Sequence, residues 1–251
     1  MAAGRQVWVP DELRTAGREN LDPDHVARYD AKEDAGASAE VAKLFSLGVP
    51  PRPTVVDLGA GTGQFTVEMA RRARRVVAVD VSPVMLEHLG ARVRREGLGN
   101  VECVRAGFLT YEHAGPAADV VYSRYALHHL PDFWKAVALT RVADSLAPGG
   151  VLRLCDVVYG FGPADAVPSL ERWMDEGASP SIADGWTRAE LEEHVRDEHS
   201  TFTWLLEPML RRAGFTIEEA EYGHDRMVAR YVCRRAATAR SGPLPHPPAM
   251  P

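Results

Sequence analysis

Cysteine is scarce in this chain. The three present, Cys103, Cys155 and Cys233 among 251 residues, show no metal-ligand spacing and cannot all pair with one another, so neither a disulfide framework nor a cysteine-based zinc site is indicated. Each lies in an apolar, strand-like run and reads as a buried, reduced thiol. No apolar run approaches the roughly 18 residues that a membrane span needs. The N-terminus lacks a basic segment followed by an apolar one, so no secretory signal and a cytoplasmic location are expected. Positive charge is also in deficit. Lys and Arg total 29 against 35 Asp and Glu, a net charge of −6, which weighs against a nucleic-acid partner. The basic cluster Arg71, Arg72, Arg74 and Arg75 falls at a predicted helix end, where cations complement the dipole.

What is present is an alternation. After Pro50-Pro51-Arg52-Pro53, the stretches Thr54–Leu58, Arg75–Asp80, Asn100–Arg105, Asp119–Ser123 and Val151–Val157 read as strands, apolar nearly throughout, as parallel strands covered on both faces are. Helical patterns lie between them. Met85, Leu89 and Val93 form one stripe behind Ser82-Pro83, an N-cap followed by proline. Leu139, Val142 and Leu146 mark another helix, stopped by Pro148-Gly149-Gly150. A helix over about 202–213 ends at Gly214, before a last strand pair at Phe215–Tyr222 and Arg226–Cys233. The expected fold is α/β, a doubly wound Rossmann-like sheet. The domain spans 51–235, residues 1–50 are an N-terminal helical segment, and 236–251, with five prolines, are a disordered tail. Residues 158–200 break the alternation and carry 10 acidic residues against 3 basic ones. They follow a central strand and read as a helical lid over the carboxyl edge of the sheet.

The strongest local signal is Val55-Val56-Asp57-Leu58-Gly59-Ala60-Gly61-Thr62-Gly63, a buried strand entering a glycine turn and then a helix, with Asp80 ending the next strand. Dinucleotide sites use G-x-G-x-x-G and hold a pyrophosphate on the helix N-terminus. Here the spacing is G-x-G-x-G, and Asp57 would repel a pyrophosphate and suit a cation. Asp57 as a brace for the loop is the plainer alternative, and the two roles are compatible. Asp80 is placed to accept from two ribose hydroxyls. These features describe a site for a cationic nucleoside without phosphate.

The chain resembles class I S-adenosylmethionine (SAM)-dependent methyltransferases over about residues 40–235. The resemblance rests on Asp57–Gly63, Val79-Asp80-Val81-Ser82-Pro83, Ala118-Asp119-Val120-Val121, Ala126-Leu127-His128-His129-Leu130 and Leu146-Ala147-Pro148-Gly149-Gly150. It implies a seven-stranded, mostly parallel sheet with an antiparallel last strand and SAM as cofactor. It implies that Gly59, Ala60, Gly61 and Gly63 form the cofactor loop, Asp57 lies near the methionine portion, and Asp80 with Val81 sits at the ribose. Tyr29, on an N-terminal helix, closes over SAM or simply packs, and Arg124 follows the fourth strand beside it. One departure stands out: Gly107 occupies the place of an acid that often holds the adenine amino group. Phe108 then packs on adenine or belongs to the core.

Methyl transfer from a sulfonium needs positioning, and a base only if the acceptor must lose a proton. Tyr125, His128 and His199 are the candidates to act on the acceptor, set against family-wide and surface-helix explanations of the histidines. His194 and His199 are five apart, not the four that bring a metal pair onto one helix face, so no metal is expected. The expected activity is methyl transfer to N or O of a small molecule that is neutral or cationic, by a monomer or homodimer with no nucleic-acid or membrane partner. The alternatives are SAM binding without transfer, a sensor or a SAM-assisted rearrangement, and a methyltransferase on protein or nucleic acid. Ser123-Arg124-Tyr125-Ala126 stands where a base-gripping Asn/Asp-Pro-Pro-aromatic motif would stand.

Overall fold

The computed structural model describes residues 8–17, 19–32, 36–181 and 185–237. Most of the expected C-terminal tail lies outside the described residues. Two 3-10 turns, Glu12–Thr15 and Glu19–Leu21, precede helices α1 (Pro23–Lys32) and α2 (Ala37–Ser46). Then come β1 (Thr54–Leu58), α3 (Gln64–Ala70), β2 (Arg75–Asp80), α4 (Pro83–Arg95), β3 (Val101–Arg105) and β4 (Ala118–Arg124). A 3-10 turn at Leu127–His129 leads into α5 (Asp132–Ser145) and the long β5 (Leu146–Tyr159). After α6 (Ala166–Gly177) and α7 (Arg188–Asp197) follow the two-residue β6 (Thr201–Phe202), α8 (Thr203–Arg212), β7 (Phe215–Tyr222) and β8 (Val228–Arg235).

The strand order is β3-β2-β1-β4-β5-β8-β7, with β6 pairing β5 off this path. β1 pairs in parallel with β2 and with β4, while β8 is antiparallel to β5 and to β7. The expected seven strands are present, the last one antiparallel, and β6 is a short eighth.

Side chains alternate across the pleat. Val56, Leu58, Val77 and Val79 enter the layer under α5 and α8, with Leu139 and Leu210. Val55, Val76 and Tyr122 enter the opposite layer, with Leu44 of α2 and Met69 of α3. Both faces of the central strands are therefore covered. β3 departs from that expectation. As the edge strand it is half-exposed along its length, and Cys103 is exposed rather than buried; Cys155 and Cys233 are buried as expected. The helix expected to run to Pro148 stops at Ser145. Pairing of Leu146 with Ala118, one irregular step before the regular register, draws Pro148-Gly149-Gly150 into the start of β5.

Where consecutive parallel connections leave β1 in opposite directions, toward β2 and toward β4, the carboxyl ends of the strands open a crevice. The loops after β1, β2, β4 and β5 all end there.

Candidate functional site

The turn after β1 is fastened to protein before any ligand arrives. The amides of Gly59 and Ala60 both donate to the Val79 carbonyl, at 2.8 and 3.0 Å, and that of Gly63 to the Ala60 carbonyl at 2.9 Å. The Gly61 amide donates to Asp80 Oδ2 at 2.9 Å. These N–H groups are spent, so the loop is not a phosphate cradle, and the glycines serve its shape. Gly59 has φ +75°, and a Cβ there would lie 2.3 Å from that of Ala126. The turn after β4 thus presses directly on the glycine loop. Its Tyr125 holds φ 50°, a left-handed conformation uncommon for a residue with a side chain.

Asp57 and Asp80 end neighbouring parallel strands and are both buried. Asp57 accepts from Thr66 Oγ1 at 2.5 Å. Burial pushes its carboxyl up to about 7, against the Thr66 hydrogen bond and with help from the charge of Asp80. Asp80 accepts one backbone N–H on each oxygen, from Gly61 and from Ser82 at 2.8 Å. Burial pushes it up too, opposed by these bonds. A carboxylate oxygen has a further lone pair, and Asp80 lines the crevice.

The crevice brings together most residues singled out in the sequence. Gly59, Gly61, Asp80 and Val81 form one wall. Gly107, Phe108, Tyr29, Arg124 and Tyr125 complete its lining. A smaller adjoining hollow, which shares Tyr29, Gly59, Gly61, Arg124 and Tyr125 with the crevice, adds Asp57 and Ala60. Gly63 lines neither; a Cβ there would strike Leu89 of α4 at 2.7 Å, so its role is packing. Phe108 lines the crevice and joins the main core, combining both readings. Helix α1 is held over the loop by Asp30, which accepts from Thr62 Oγ1, from Gln64 Nε2 at 3.0 Å and from Arg92 at 2.7 Å.

Sequence reasoning missed Glu12. Its carboxylate is buried and accepts from the Leu109 amide at 3.1–3.2 Å and from Thr110 Oγ1 at 3.3 Å. A Cβ added to Gly107 would lie 2.3–2.6 Å from its carboxyl atoms. An acid is thus present where Gly107 left one missing, supplied from the N-terminal segment.

Beyond the crevice opens a cavity of about 690 Å³ under α6 and α7. Tyr29, Tyr125, Asn20 and His129 line both spaces. His128 is buried between two acids, its Nδ1 2.5 Å from Asp156 Oδ1 and its Nε2 2.9 Å from Glu198 Oε2. Burial alone would lower its pKa, but the two carboxylates hold it up at about 10. His129 is pushed down to about 3 by burial and by His128. His199 lies apart: its ring is exposed. Its backbone matters instead, with its amide donating to the His128 carbonyl at 3.0 Å and its carbonyl accepting from the buried Lys135 Nζ.

A family model described as "Methyltransferase domain" matches residues 55–150. A malonyl-[acyl-carrier protein] O-methyltransferase of Halorhodospira halophila is 30% identical over 203 residues, covering 77% of this chain and 63% of that protein. Among solved structures, the N-methyltransferase NodS of Bradyrhizobium japonicum, in complex with S-adenosyl-L-homocysteine, aligns with a TM-score of 0.61 at 19% identity, over 90% of this chain and 99% of that one. The [4+2]-cyclase SpnF aligns with 0.66 at 17%, over 92% and 98%. Glycine loop, paired strand-end acids, strand order and matched family model together support a class I, Rossmann-like methyltransferase, a family whose methyl donor is S-adenosylmethionine.

Proposed function

We propose that this chain transfers the methyl group of SAM to an oxygen or nitrogen of a small neutral or cationic molecule held under α6 and α7. The observation that carries this reading is the continuity of the two spaces. The cavity of about 690 Å³ meets the crevice at Tyr29, Tyr125, Asn20 and His129, and its size suits a metabolite. Trp173 and Trp186 supply apolar walls, Asp22, Glu190 and Glu193 supply negative charge, and no Lys or Arg among the described residues lines it. An anionic polymer is poorly matched to such walls.

In this reading Asp80 accepts from the ribose hydroxyls, with Val81 beside it, and Asp57 faces the cationic methionine end. Gly107 and Phe108 flank the adenine and Glu12 accepts from its amino group. Tyr29 and Arg124 close over the donor. SAM supplies a methyl group already activated on a sulfonium. The acceptor's lone pair forms the new bond to the methyl carbon, the carbon–sulfur bond breaks, and its electron pair stays on sulfur. The chain's own contribution is alignment and exclusion of water. His128, held as an imidazolium, is no base in this state. Neutral His129, at the junction, hydrogen-bonds the acceptor and orients its lone pair. Tyr125 positions the acceptor from the opposite side.

Incubation with methyl-labelled SAM and a cell extract separated into small molecules, protein and nucleic acid tests the proposal. Label in the small-molecule fraction is the expected result. Label only in polymer contradicts it, and SAM binding without transfer to any fraction favours the second reading, a rearrangement or sensing role.

A further inference from the structure

The histidine cluster has a property that methyl transfer does not require. Two chain segments bring candidate ligand atoms together in the cavity wall. His128 and His129 come from the turn after β4, His194 from α7, and Glu198 from its C-terminal end. The donor atoms of His128, His129 and Glu198 all lie within 4.8 Å of one another. His194 Nδ1 lies 2.5 Å from the same Glu198 oxygen that His128 Nε2 approaches. Both are ion-pair contacts that fall outside ordinary hydrogen-bond geometry, and His129 Nδ1 is buried with no hydrogen-bond partner among the described residues. Burying such a nitrogen unpaired is costly.

The outer nitrogens show how the rings are set. His128 Nδ1 faces Asp156 Oδ1, and the same carboxylate accepts from the His128 amide at 3.0 Å and the Val157 amide at 2.8 Å. His194 Nε2 faces Ser200 Oγ at 3.0 Å. These two rings therefore have the outer nitrogen on an oxygen partner and the inner nitrogen facing Glu198. Metal-binding histidines are oriented this way, with a carboxylate behind the ring fixing the tautomer. Glu198 is held in place from behind, through the amide of His199 on the His128 carbonyl and through Lys135 Nζ on the His199 carbonyl.

We propose that His128, His129, His194 and Glu198 form a binding site for a first-row divalent transition ion of the zinc class. The imidazole-rich set with one carboxylate selects against magnesium and calcium. The ion takes the place of the His128 Nε2 proton, which is released, and binds the Glu198 oxygen and the unpaired His129 nitrogen together. Because the site lies in the cavity wall, an acceptor hydroxyl or amine can enter the coordination sphere and become more acidic. Its proton leaves to solvent, and the electron pair so exposed makes the bond to the methyl carbon as carbon–sulfur cleavage returns a pair to sulfur. The pair that weighed against a metal in the sequence was His194 with His199, five apart; Glu198 lies four from His194, and the histidines of a second segment face it.

The test is a calorimetric titration of the chelator-treated full chain with Zn²⁺, and with Co²⁺ followed by its visible d–d absorption. Neither readout depends on SAM or on methyl transfer. The expected result is one ion per chain with a dissociation constant below about 1 µM. Asp156→Asn, behind the ring, should weaken binding by roughly 10–100-fold, and Glu198→Gln or His194→Gln by more. Affinity for S-adenosylhomocysteine, measured on each variant, reports that the crevice is still folded and remains within about twofold of the parent. Absence of heat and of d–d bands in the parent chain overturns the proposal. So does metal binding that Glu198→Gln and His194→Gln both leave unchanged. If Glu198→Gln does not fold, His194→Gln and Asp156→Asn decide alone.

Discussion

Asp57 and Asp80 illustrate how much a single carboxylate's setting can be read in advance. Both stood out because they end adjacent strands beside a glycine turn. Their titration did not, since it depends on burial that only the packed sheet creates. With the Asp57 carboxyl pushed up to about 7, a cationic ligand must bind its ionised form. SAM affinity is therefore expected to be flat above pH 7 and to fall about tenfold per unit below it, as each binding event releases a proton. Asp57→Asn should abolish that slope; calorimetry across pH 5.5–8.5, as a rough working range, reads it. The same raised value bears on folding. Stability from the neutral carboxyl is complete below the unfolded value of 3.8 and is lost as pH rises through about 7. Near pH 8, Asp57→Asn should make the ligand-free protein more stable by about 2–4 kcal/mol in denaturant melts; a loss of stability would contradict the burial argument. Glu12 gives a second test. Glu12→Gln should lower S-adenosylhomocysteine affinity about 5–30-fold, the value of one charge-assisted hydrogen bond, and barely affect an analogue lacking the adenine amino group. Pairing Glu12→Ala with Gly107→Asp should recover much of the loss. Equal losses for both ligands would remove Glu12 from the adenine site.

Among the elements, those with a clear period were legible. The apolar stripe of α4 begins at Ser82, whose Oγ accepts from the Met85 amide at 3.2 Å, as the Ser-Pro pair foretold. The edge strand was not legible, because its residues are as β-prone as those of the central strands and only its place at the end of the order exposes Cys103. Helix α1 carries Tyr29, but what seats it is Asp30, bound to Thr62, Gln64 and Arg92. Asp30 is partly exposed, so its removal should cost little global stability, about 0–1 kcal/mol. Asp30→Ala is expected to leave the melting temperature nearly unchanged and to weaken SAM binding several-fold by freeing α1. A large drop in melting temperature with unchanged affinity would reverse that assignment. Lys135 on α5 behaves differently. It is 1% exposed and ties Asp132 to the segment after α7 through the His199 carbonyl. Lys135→Met leaves that carbonyl without its ammonium partner, and thermal unfolding should show a loss of about 1–3 kcal/mol.

At the scale of the whole molecule, the sequence reveals the sheet and its crevice because those depend on local runs and local turns. The cavity depends on contacts between segments far apart in the chain. Glu12 reaches Gly107, His25 lies 5.8 Å ring to ring from Trp186, and Glu198 meets His128. No period in the sequence encodes such meetings. The absence of an acid at position 107 was visible, but it pointed to Phe108 and gave no sign that Glu12 would bring a carboxylate there. The acidic bias of residues 158–200 foretold the charge of the cavity wall, where Glu190, Glu193 and Glu198 appear. It did not foretell that histidines from the opposite side would converge on one of those acids. The N-terminal turns, α1 and the α6–α7 pair thus complete from outside a site that the sheet only begins.

The account turns on a cationic nucleoside, free of phosphate, held between the glycine turn and two strand-end carboxylates. Calorimetric titration of the parent chain and of Asp80→Ala with SAM tests this most directly. The parent should bind one SAM per chain, and Asp80→Ala should bind it about 5–150-fold more weakly, a loss of about 1–3 kcal/mol. A parent chain that takes up NADH but not SAM, or an Asp80→Ala chain that binds SAM as tightly as the parent, would contradict it.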